Sequence, residues 1–128
     1  MEWPVTVVKN LSFSRLEAGA CLIGNDLLVC IKGGDLPHIG TGVLCVPRPS
    51  LSGNGAQSAT SSVLNLPGHK DEFICRKVGE MLCSRLNMVV FCTGGFHVDG
   101  ITKEQIREVL SAADALSGDL AAALMALL

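Results

Sequence analysis

The sequence predicts an α+β domain in which two main helices pack on an antiparallel β-sheet of about six strands. In the first half of the chain, apolar and polar residues alternate as in strands, and the apolar spacing becomes helical only after residue 69. The order of five strands, a helix, a strand and a terminal helix lacks the repeated β-α-β unit of a parallel sheet. With 128 residues the chain has the length of one domain, residues 1–128.

The first three strands are predicted from short apolar stretches and one turn signal. Residues 5–17 have a partial period of two, which is typical of a half-buried strand. Residues 20–23 and 27–31 are apolar runs separated by Gly24-Asn25-Asp26. Because Asn and Asp tolerate positive φ, this interruption predicts a tight hairpin.

Two further strands are predicted on either side of a loop. A strand over residues 38–46 is closed by Pro47 and Pro49, and residues 58–66 again alternate small polar with apolar side chains. Between them, residues 47–57 combine proline, glycine and serine, so we expect a surface loop there.

The last part of the chain predicts two helices around a buried strand. Apolar residues at three- and four-residue spacing predict a helix over residues 69–86, and the apolar run over residues 88–92 predicts a buried strand. Thr102 and Gln105 have the spacing of a capping box, which predicts the start of the second helix. We expect Gly118 to interrupt that helix before an apolar tail.

The composition excludes some classes of function and favours a partner subunit. A formal net charge of −2 gives no basic excess, which disfavours nucleic-acid binding. No run approaches the roughly eighteen to twenty apolar residues of a membrane span, and the opening residues do not resemble a signal peptide, so we expect a cytoplasmic protein without a membrane partner. Because 48% of the residues are hydrophobic, we expect part of the surface to face another subunit.

The six cysteines are predicted to be small buried side chains. None forms a C-x-x-C pair, which disfavours zinc knuckles and thioredoxin-type redox motifs. Reduced, buried cysteines are typical of a cytosolic protein.

Three histidines mark the first candidate site residues. His38, His69 and His97 lie beside glycines at predicted breaks between elements, where the backbone can approach a ligand. The alternative is that each is a surface or capping histidine. His97 and Asp99 are two residues apart on an extended segment, so they could share a metal ion or act as an acid–base pair. With His38 or His69 they would complete a two-histidine, one-carboxylate site, unless Asp99 only shapes a turn.

A second group of residues has the chemistry of an anion site. Gly68, His69 and Lys70 precede the first predicted helix, whose N-terminal N–H groups attract phosphate or carboxylate. Arg48 can pair with phosphate, and the nearby hydroxyls that could donate to its remaining oxygens are Ser50, Ser58, Thr60 and Ser62. The alternative is an ordinary helix start, a solvated loop and a polar strand face.

Several motifs, taken in order along the chain, resemble one family. They are Pro37-His38-Ile39-Gly40, Pro47-Arg48-Pro49-Ser50-Leu51, the stretch Ser62-Val63-Leu64-Asn65-Leu66-Pro67-Gly68-His69-Lys70-Asp71-Glu72, and His97-Val98-Asp99. Together they resemble the LpdD-like prenylated-flavin chaperones, and the resemblance spans about residues 5–110. The family is grouped by fold with proteasome-assembly chaperones, which are dimeric α+β proteins.

The resemblance implies binding rather than turnover. It implies a carrier of prenylated FMN, or FMN, that receives the cofactor from a flavin prenyltransferase and assists a UbiD-type hydroxyarylic acid decarboxylase, and that acts as a homodimer. The implied ligand residues are His38, Arg48, Ser50, Ser58, Thr60, Ser62, His69, Lys70, His97 and Asp99. Two alternatives stay open: a small metal-dependent enzyme that uses His38, His97 and Asp99 with a divalent ion, and a protein-assembly chaperone that binds no flavin.

Overall fold

Six strands and two helices make up the computed structural model, which describes residues 3–67 and 72–128. In chain order they are β1 (Val5–Asn10), β2 (Arg15–Ile23), β3 (Asp26–Gly34), β4 (Thr41–Pro49), β5 (Gln57–Asn65), α1 (Glu72–Leu86), β6 (Val90–His97) and α2 (Lys103–Leu127). The strands form one sheet in the order β1-β2-β3-β6-β4-β5. The predicted α+β class, with about six strands and two helices, is confirmed.

The sheet is antiparallel except at its centre. β6 lies between β3 and β4, where it pairs parallel to β3 and antiparallel to β4. The chain reaches this position through α1, which leads from the edge strand β5 back over the sheet. Because β4 is antiparallel to both β5 and β6, this helical crossover joins two parallel strands that have β4 between them.

Both helices pack on the same face of the sheet. α1 contacts β4, β5 and β6, while α2 contacts β1, β2 and α1. The core between them contains alternate strand residues such as Val29, Val43 and Cys92, with Val78 from α1 and Leu116 from α2. Successive strand residues point to opposite faces, so the intervening residues lie on the other side of the sheet. We call that side the open face, because in the described part of the chain neither helix covers it.

The N-terminal region is a hairpin, which corrects the prediction of one strand over residues 5–17. β1 ends at Asn10 and β2 begins at Arg15, and these two residues are paired. The Leu11 N–H donates to the Ser14 carbonyl at 2.8 Å and closes the turn. This turn contains neither glycine nor proline, and its two serines, Ser12 and Ser14, fit the polar positions of an alternating strand equally well.

The second hairpin and the helix cap follow their predictions. Ile23 pairs with Asp26 across the β2–β3 turn, and Gly24 has a φ of 60°. At the start of α2 the Thr102 Oγ1 accepts the Gln105 N–H at 3.1 Å, and the Gln105 Oε1 accepts the Thr102 N–H at 2.9 Å. The predicted capping box is therefore confirmed.

α2 continues through Gly118, which corrects the predicted interruption. The helix runs unbroken for 25 residues. Leu116 and Leu120, on either side of the glycine, are both fully buried. Their packing offsets the roughly 1 kcal/mol that glycine costs inside a helix.

α2 is also the one helix among the described residues that is long and apolar enough to cross a membrane. This corrects the expectation that no stretch approaches a membrane span. The core helices of water-soluble proteins meet the same criterion, and α2 buries Leu116, Leu120 and Leu124 against the rest of the domain. Length and composition therefore do not assign α2 to a membrane.

The cysteines are free thiols and mostly buried, as predicted. Cys30 is half-buried, and the buried ones are Cys21, Cys45, Cys75, Cys83 and Cys92. Burial raises the pKa of the Cys83 thiol to about 11 and holds the pKa of Cys92 well above its ordinary value. These two thiols therefore stay protonated and unreactive at neutral pH.

Candidate functional site

Two histidines meet at one end of the open face. His38 lies in the connection between β3 and β4, and His97 is the last residue of β6. Their rings are nearly perpendicular, with centroids 6.4 Å apart. The His38 ring lies against Gly95, because a Cβ at residue 95 would come within 2.7 Å of the His38 Nε2. The His38 Nδ1 donates to the Leu36 carbonyl at 2.8 Å, which fixes the ring.

Asp99 completes this cluster, so the structure brings together the three residues of the predicted metal site. The His97 Nε2 lies 2.8 Å from the Asp99 Oδ1, and the Asp99 side chain is 91% exposed. His38 and His97 thus each direct one ring nitrogen to an oxygen of the protein. Within residues 3–67 and 72–128, no group of three or more His, Cys, Asp or Glu side chains is arranged to hold a metal ion. The arrangement is that of a hydrogen-bonded His–Asp pair beside a second histidine.

Arg48 and the hydroxyl residues form a second cluster on the open face. The Arg48 Nε donates to the Thr60 Oγ1 at 2.9 Å, and its Nη1 donates to the Pro49 carbonyl at 3.1 Å. Ser58 pairs with Arg48 across the two strands, and the alternation of β5 places Ser58, Thr60 and Ser62 on one face. Among the ion pairs of the described residues, none involves Arg48, so its charge is available to an anion.

Ser50 lies beyond this cluster, in the loop that connects β4 and β5. Its N–H donates to the Ala56 carbonyl at 2.8 Å, and its hydroxyl is 2.8 Å from that of Ser52. Leu51 follows it and is 92% exposed. The loop therefore presents a serine pair and an exposed leucine at the tip of the hairpin.

The two clusters lie far apart within one chain. Arg48 is seven residues along β4 from Thr41, and the histidine cluster lies beyond Thr41. Seven residues of extended strand measure about 24 Å. One phosphate group cannot contact Arg48 and His38 of the same chain.

The other two predicted ligand residues, His69 and Lys70, lie outside the described residues.

Lys32 is a basic residue near the histidines that the sequence prediction missed. In the parallel pairing of β3 and β6 it is opposite Gly95, on which His38 rests. The signal in the sequence is the alternation of β3, in which Leu28, Cys30 and Lys32 share one face. Lys32 can be placed beside His38 only once the pairing of β3 with β6 is known.

Between the clusters the open face is apolar, with large and small side chains in adjacent rows. Leu28, Phe91 and Leu44 are aligned across β3, β6 and β4, and the next row contains Cys30, Thr93 and Gly42. The Phe91 ring leans over Gly42, where a Cβ would lie 2.8 Å from its Cζ. Leu44 is 41% exposed. This centre offers an apolar surface to a planar ligand or to another protein.

A separate open groove of about 310 Å³ lies between the edge strand β5 and α1. Gln57 and Ser58 line it from the strand, and Lys77 and Glu80 line it from the helix. Glu80 accepts hydrogen bonds from Ser61 at 2.7 Å and from Arg76 at 2.9 Å. The groove shares only Ser58 with the predicted ligand residues, so it does not unite the two clusters.

Comparisons with known proteins support one family for this chain. A family model described as the prenylated flavin chaperone LpdD-like domain matches residues 12–125. The chain is also 30% identical over 108 residues to Protein LpdD of Lactiplantibacillus plantarum (strain ATCC BAA-793 / NCIMB 8826 / WCFS1). That alignment covers 80% of this chain and 72% of the relative. The family match extends from the first hairpin to the last turns of α2 and so includes both clusters.

Proposed function

The chain belongs to the prenylated flavin chaperone LpdD-like family, and on this premise we propose that it is a non-catalytic carrier of prenylated FMN. The observation that carries the proposal is the family match over residues 12–125, which includes the open face with its basic and apolar parts. In this proposal the chain acts in the cytoplasm, as a homodimer. It receives the cofactor from a flavin prenyltransferase and passes it to a UbiD-type hydroxyarylic acid decarboxylase.

The donors on the open face fit the phosphate of a flavin mononucleotide. The Arg48 guanidinium is already oriented by Thr60 and Pro49, and the Ser58 hydroxyl lies on the neighbouring strand. A guanidinium and hydroxyls are the groups that commonly bind phosphate oxygens in proteins. The chain's role at this end is to bind and orient the phosphate.

The apolar centre of the open face and its histidine end fit the ring system of prenylated FMN. Leu44 and Phe91 offer an apolar surface, and His38 and His97 offer ring nitrogens beside it. Ligand sites typically combine such an apolar lining with a few polar groups that fix orientation. The prenylated flavin would supply its reactive ring after transfer to the decarboxylase; before transfer, this chain would hold and shield that ring.

Co-expression with a flavin prenyltransferase tests the proposal directly. We expect the purified protein to have the visible absorption of a flavin, and its native mass spectrum to contain about one prenylated FMN per subunit. Arg48→Gln and His38→Gln should each lower that occupancy at least tenfold, since the first removes the charge that binds the phosphate and the second removes the imidazole ring beside the apolar surface. Lys103→Gln, an exposed change at the start of α2, is the matched control and should leave the occupancy unchanged.

Transfer to the decarboxylase needs its own measurement. Loaded protein is mixed with decarboxylase apoprotein, the two are separated, and the flavin spectrum of each fraction is recorded. We expect the flavin to move into the decarboxylase fraction faster than free prenylated FMN enters it. A purified protein that contains no flavin after co-expression would refute the carrier function.

A further inference from the structure

We propose that the outer edge of β5 binds an extended, acidic segment of a partner protein, which pairs with β5 as an added strand. β5 is the last strand in the order β1-β2-β3-β6-β4-β5, and within residues 3–67 and 72–128 it pairs with β4 alone. Its outer edge therefore presents backbone groups to which another chain can pair. This proposal goes beyond the binding of flavin and does not depend on it.

Alternate residues of β5 direct their backbone groups to this edge. The Leu66 N–H donates to the Gly40 carbonyl, just before β4, at 3.0 Å. Hydrogen bonds to one neighbour recur at every second residue of an antiparallel strand, so the even-numbered residues of 58–64 bond to β4. Ala59, Ser61 and Val63 therefore direct their N–H and carbonyl groups toward the outer edge.

The prolines of β4 agree with this alternation. Pro47 and Pro49, which have no N–H, pair with Ala59 and Gln57. These are the positions at which β4 and β5 exchange no hydrogen bond, so the prolines leave the pairing of β4 with β5 intact. An added strand would find a donor and an acceptor at every second residue over 59–63.

β5 lacks the features that protect most exposed edges from pairing. Edge strands are usually short, or they carry lysine, proline or a bulge. β5 has nine residues, none of them charged and none of them proline, and its pairing with β4 is uninterrupted from Gln57 to Asn65. β1, at the opposite edge of the sheet, has six residues and includes Lys9. Of the two edges, β5 is therefore the one that is open to an added strand.

α1 lies beside this edge and forms the second wall of a groove. The Asn65 Nδ2 donates to the Glu72 Oε1 at 3.2 Å, and the Ser61 Oγ donates to the Glu80 Oε1 at 2.7 Å. Four strand residues and eight helix residues each measure about 12–13 Å, so α1 runs antiparallel to β5 and stays beside it. Such a groove gives an added strand backbone partners on one side and side-chain contacts on the other.

The groove has apolar and basic side chains in contact with each other. Its volume is about 310 Å³, and Ala59 and Met81 provide apolar surface within it. Lys77 lines it as well, and Arg85 lies one turn beyond Met81 on the same side of α1. Every second side chain of an added strand would point into this groove.

The uncompensated charge at this end of the groove is positive. The acid that lines the groove, Glu80, already accepts two hydrogen bonds from the chain itself. Lys77 lies 3.1 Å from Asp114 of α2, but both side chains are partly exposed, where an ion pair contributes little. Arg85 is exposed and belongs to none of the ion pairs among the described residues. An acidic side chain on the added strand would complement Lys77 and Arg85.

A second copy of β5 does not meet this requirement. Residues 57–65 contain no acidic side chain, so pairing of β5 with itself would leave Lys77 and Arg85 without acidic partners. The occupant is therefore a segment of a different protein. Its acidic side chains alternate with β-branched ones, which favour the extended conformation.

Selection of random nonapeptides displayed on phage tests the proposal with the full-length, flavin-free protein. We expect the selected sequences to alternate aspartate or glutamate with valine, isoleucine or threonine. Synthetic peptides of these sequences should bind more weakly as salt is added, because salt screens exposed charges. A selection that returns no sequence above background, or one that returns basic sequences, would overturn the proposal.

Substitution of Ala59 tests the backbone pairing. Ala59→Pro removes an outward N–H and keeps the hydrogen bonds between β4 and β5, so we expect the affinity for a selected peptide to fall about tenfold or more. Ala59→Ser keeps the N–H and is the matched control. A folded Ala59→Pro variant, checked by circular dichroism, that binds the peptide as tightly as the wild type would contradict strand addition at β5.

Charge reversal on α1 tests the acidic occupant, and it does not require Ala59→Pro to fold. Lys77→Glu combined with Arg85→Glu should lower the affinity for the selected peptide about tenfold or more, because the added charges repel its acids. Lys103→Glu, an exposed change at the start of α2, is the control and should leave the affinity unchanged. Equal affinity in the wild type and the Lys77→Glu, Arg85→Glu variant would rule out the predicted charge contact.

Hydrogen exchange of single amides identifies how the peptide binds. With the selected peptide bound, the amides of Ala59, Ser61 and Val63 should exchange about tenfold more slowly, since each gains a hydrogen bond. The amides of Thr60 and Ser62, which bond to β4 in the free protein, should change little. Protection without this alternation would place the peptide elsewhere and overturn the proposal.

The same measurement distinguishes a second copy from a different protein. Slower exchange of Ala59, Ser61 and Val63 when the protein alone is concentrated would assign the edge to a second copy and overturn the acidic partner. None of these experiments contains flavin, so their failure would leave the carrier function untouched. In the same way, a protein that carries no flavin could still bind the acidic peptide at β5.

Discussion

His38 rests directly on the backbone of Gly95, and this contact holds the histidine cluster against the sheet. A Cβ at residue 95 would lie 2.7 Å from the His38 Nε2 and 2.9 Å from its carbonyl oxygen. Both distances are shorter than carbon–nitrogen and carbon–oxygen contacts normally allow. The absence of a side chain at residue 95 is therefore what lets His38 approach His97.

Gly95→Ala should displace His38 and weaken the binding of prenylated FMN about tenfold or more. The added methyl group pushes the His38 ring away from His97, while β6 keeps its hydrogen bonds to both neighbouring strands. The measurement is flavin occupancy after co-expression, with unfolding in urea to follow stability. We expect a loss of stability of about 1 kcal/mol, which is typical for a local steric change.

Gly118→Ala is the matched control for this substitution. A Cβ there meets no atom within 4 Å, and Gly118 lies inside α2. It should raise stability by about 0.5–1 kcal/mol, because alanine loses less backbone entropy in a helix. Flavin occupancy should stay the same. Equal occupancy in Gly95→Ala and the wild type would show that the position of His38 does not matter for binding.

Arg48→Lys should reduce prenylated FMN binding although the charge is retained. The guanidinium is fixed by two hydrogen bonds, to Thr60 and to the Pro49 carbonyl, and lysine cannot reproduce this planar geometry. A charged hydrogen bond contributes about 1.5–3 kcal/mol, so we expect affinity to fall roughly tenfold to a hundredfold. Titration of the apoprotein with prenylated FMN, followed by absorption, measures this change.

Thr60→Val tests the orientation of the Arg48 guanidinium separately from its charge. It keeps Arg48 and removes only the hydroxyl that accepts from its Nε. We expect a smaller loss of affinity for prenylated FMN than in Arg48→Lys, because the hydrogen bond from Arg48 to the Pro49 carbonyl remains. If both variants bind as the wild type does, Arg48 has no part in the site.

The fold class and the local signals could be predicted because they depend on neighbouring residues. The capping box at Thr102 and Gln105 and the turn at Gly24 are formed by residues close in the chain. The turn between Asn10 and Arg15 was missed because it has no glycine or proline and because residues 11–14 alternate apolar and polar side chains as a strand does. The unbroken path of α2 through Gly118 was missed because it depends on tertiary packing.

The arrangement of the candidate site could be predicted only in part. His97 and Asp99 are two residues apart in sequence, so their pairing follows from the spacing. The insertion of β6 between β3 and β4 is a long-range choice, and it decides that His38 lies beside His97 and Lys32. It also places Arg48 at the opposite end of the sheet. Residue chemistry therefore identified the candidate groups, but it could not show that they form two clusters.

Thr102→Ala should destabilise the protein by about 1 kcal/mol. The substitution removes the oxygen that accepts the Gln105 N–H at the first turn of α2, and caps of this kind contribute about 0.5–2 kcal/mol. Urea unfolding followed by circular dichroism measures the loss. Thr102→Ser keeps the hydroxyl and should stay within about 0.5 kcal/mol of the wild type. A Thr102→Ala variant as stable as the wild type would mean that other contacts fix the start of α2.

Glu108 should make stability fall at acid pH through its contact with Ser12. The Ser12 N–H donates to the Glu108 Oε1 at 2.6 Å and its hydroxyl donates to Oε2 at 2.7 Å, and these two bonds lower the pKa of the carboxyl. A group with a lowered folded-state pKa stabilises the fold fully above its unfolded-state pKa of about 4.3. That contribution is lost as the pH falls through the folded-state pKa.

The difference in unfolding free energy between the wild type and Glu108→Gln should therefore be largest near pH 7 and should disappear near pH 2, where Glu108 is protonated. Urea unfolding at a series of pH values measures it. Glu104→Gln, an exposed acid one turn earlier that has no contact with Ser12, is the control and should have a weaker dependence on pH. A wild type and Glu108→Gln variant that differ equally at pH 7 and pH 2 would show that ionisation of Glu108 does not stabilise this contact.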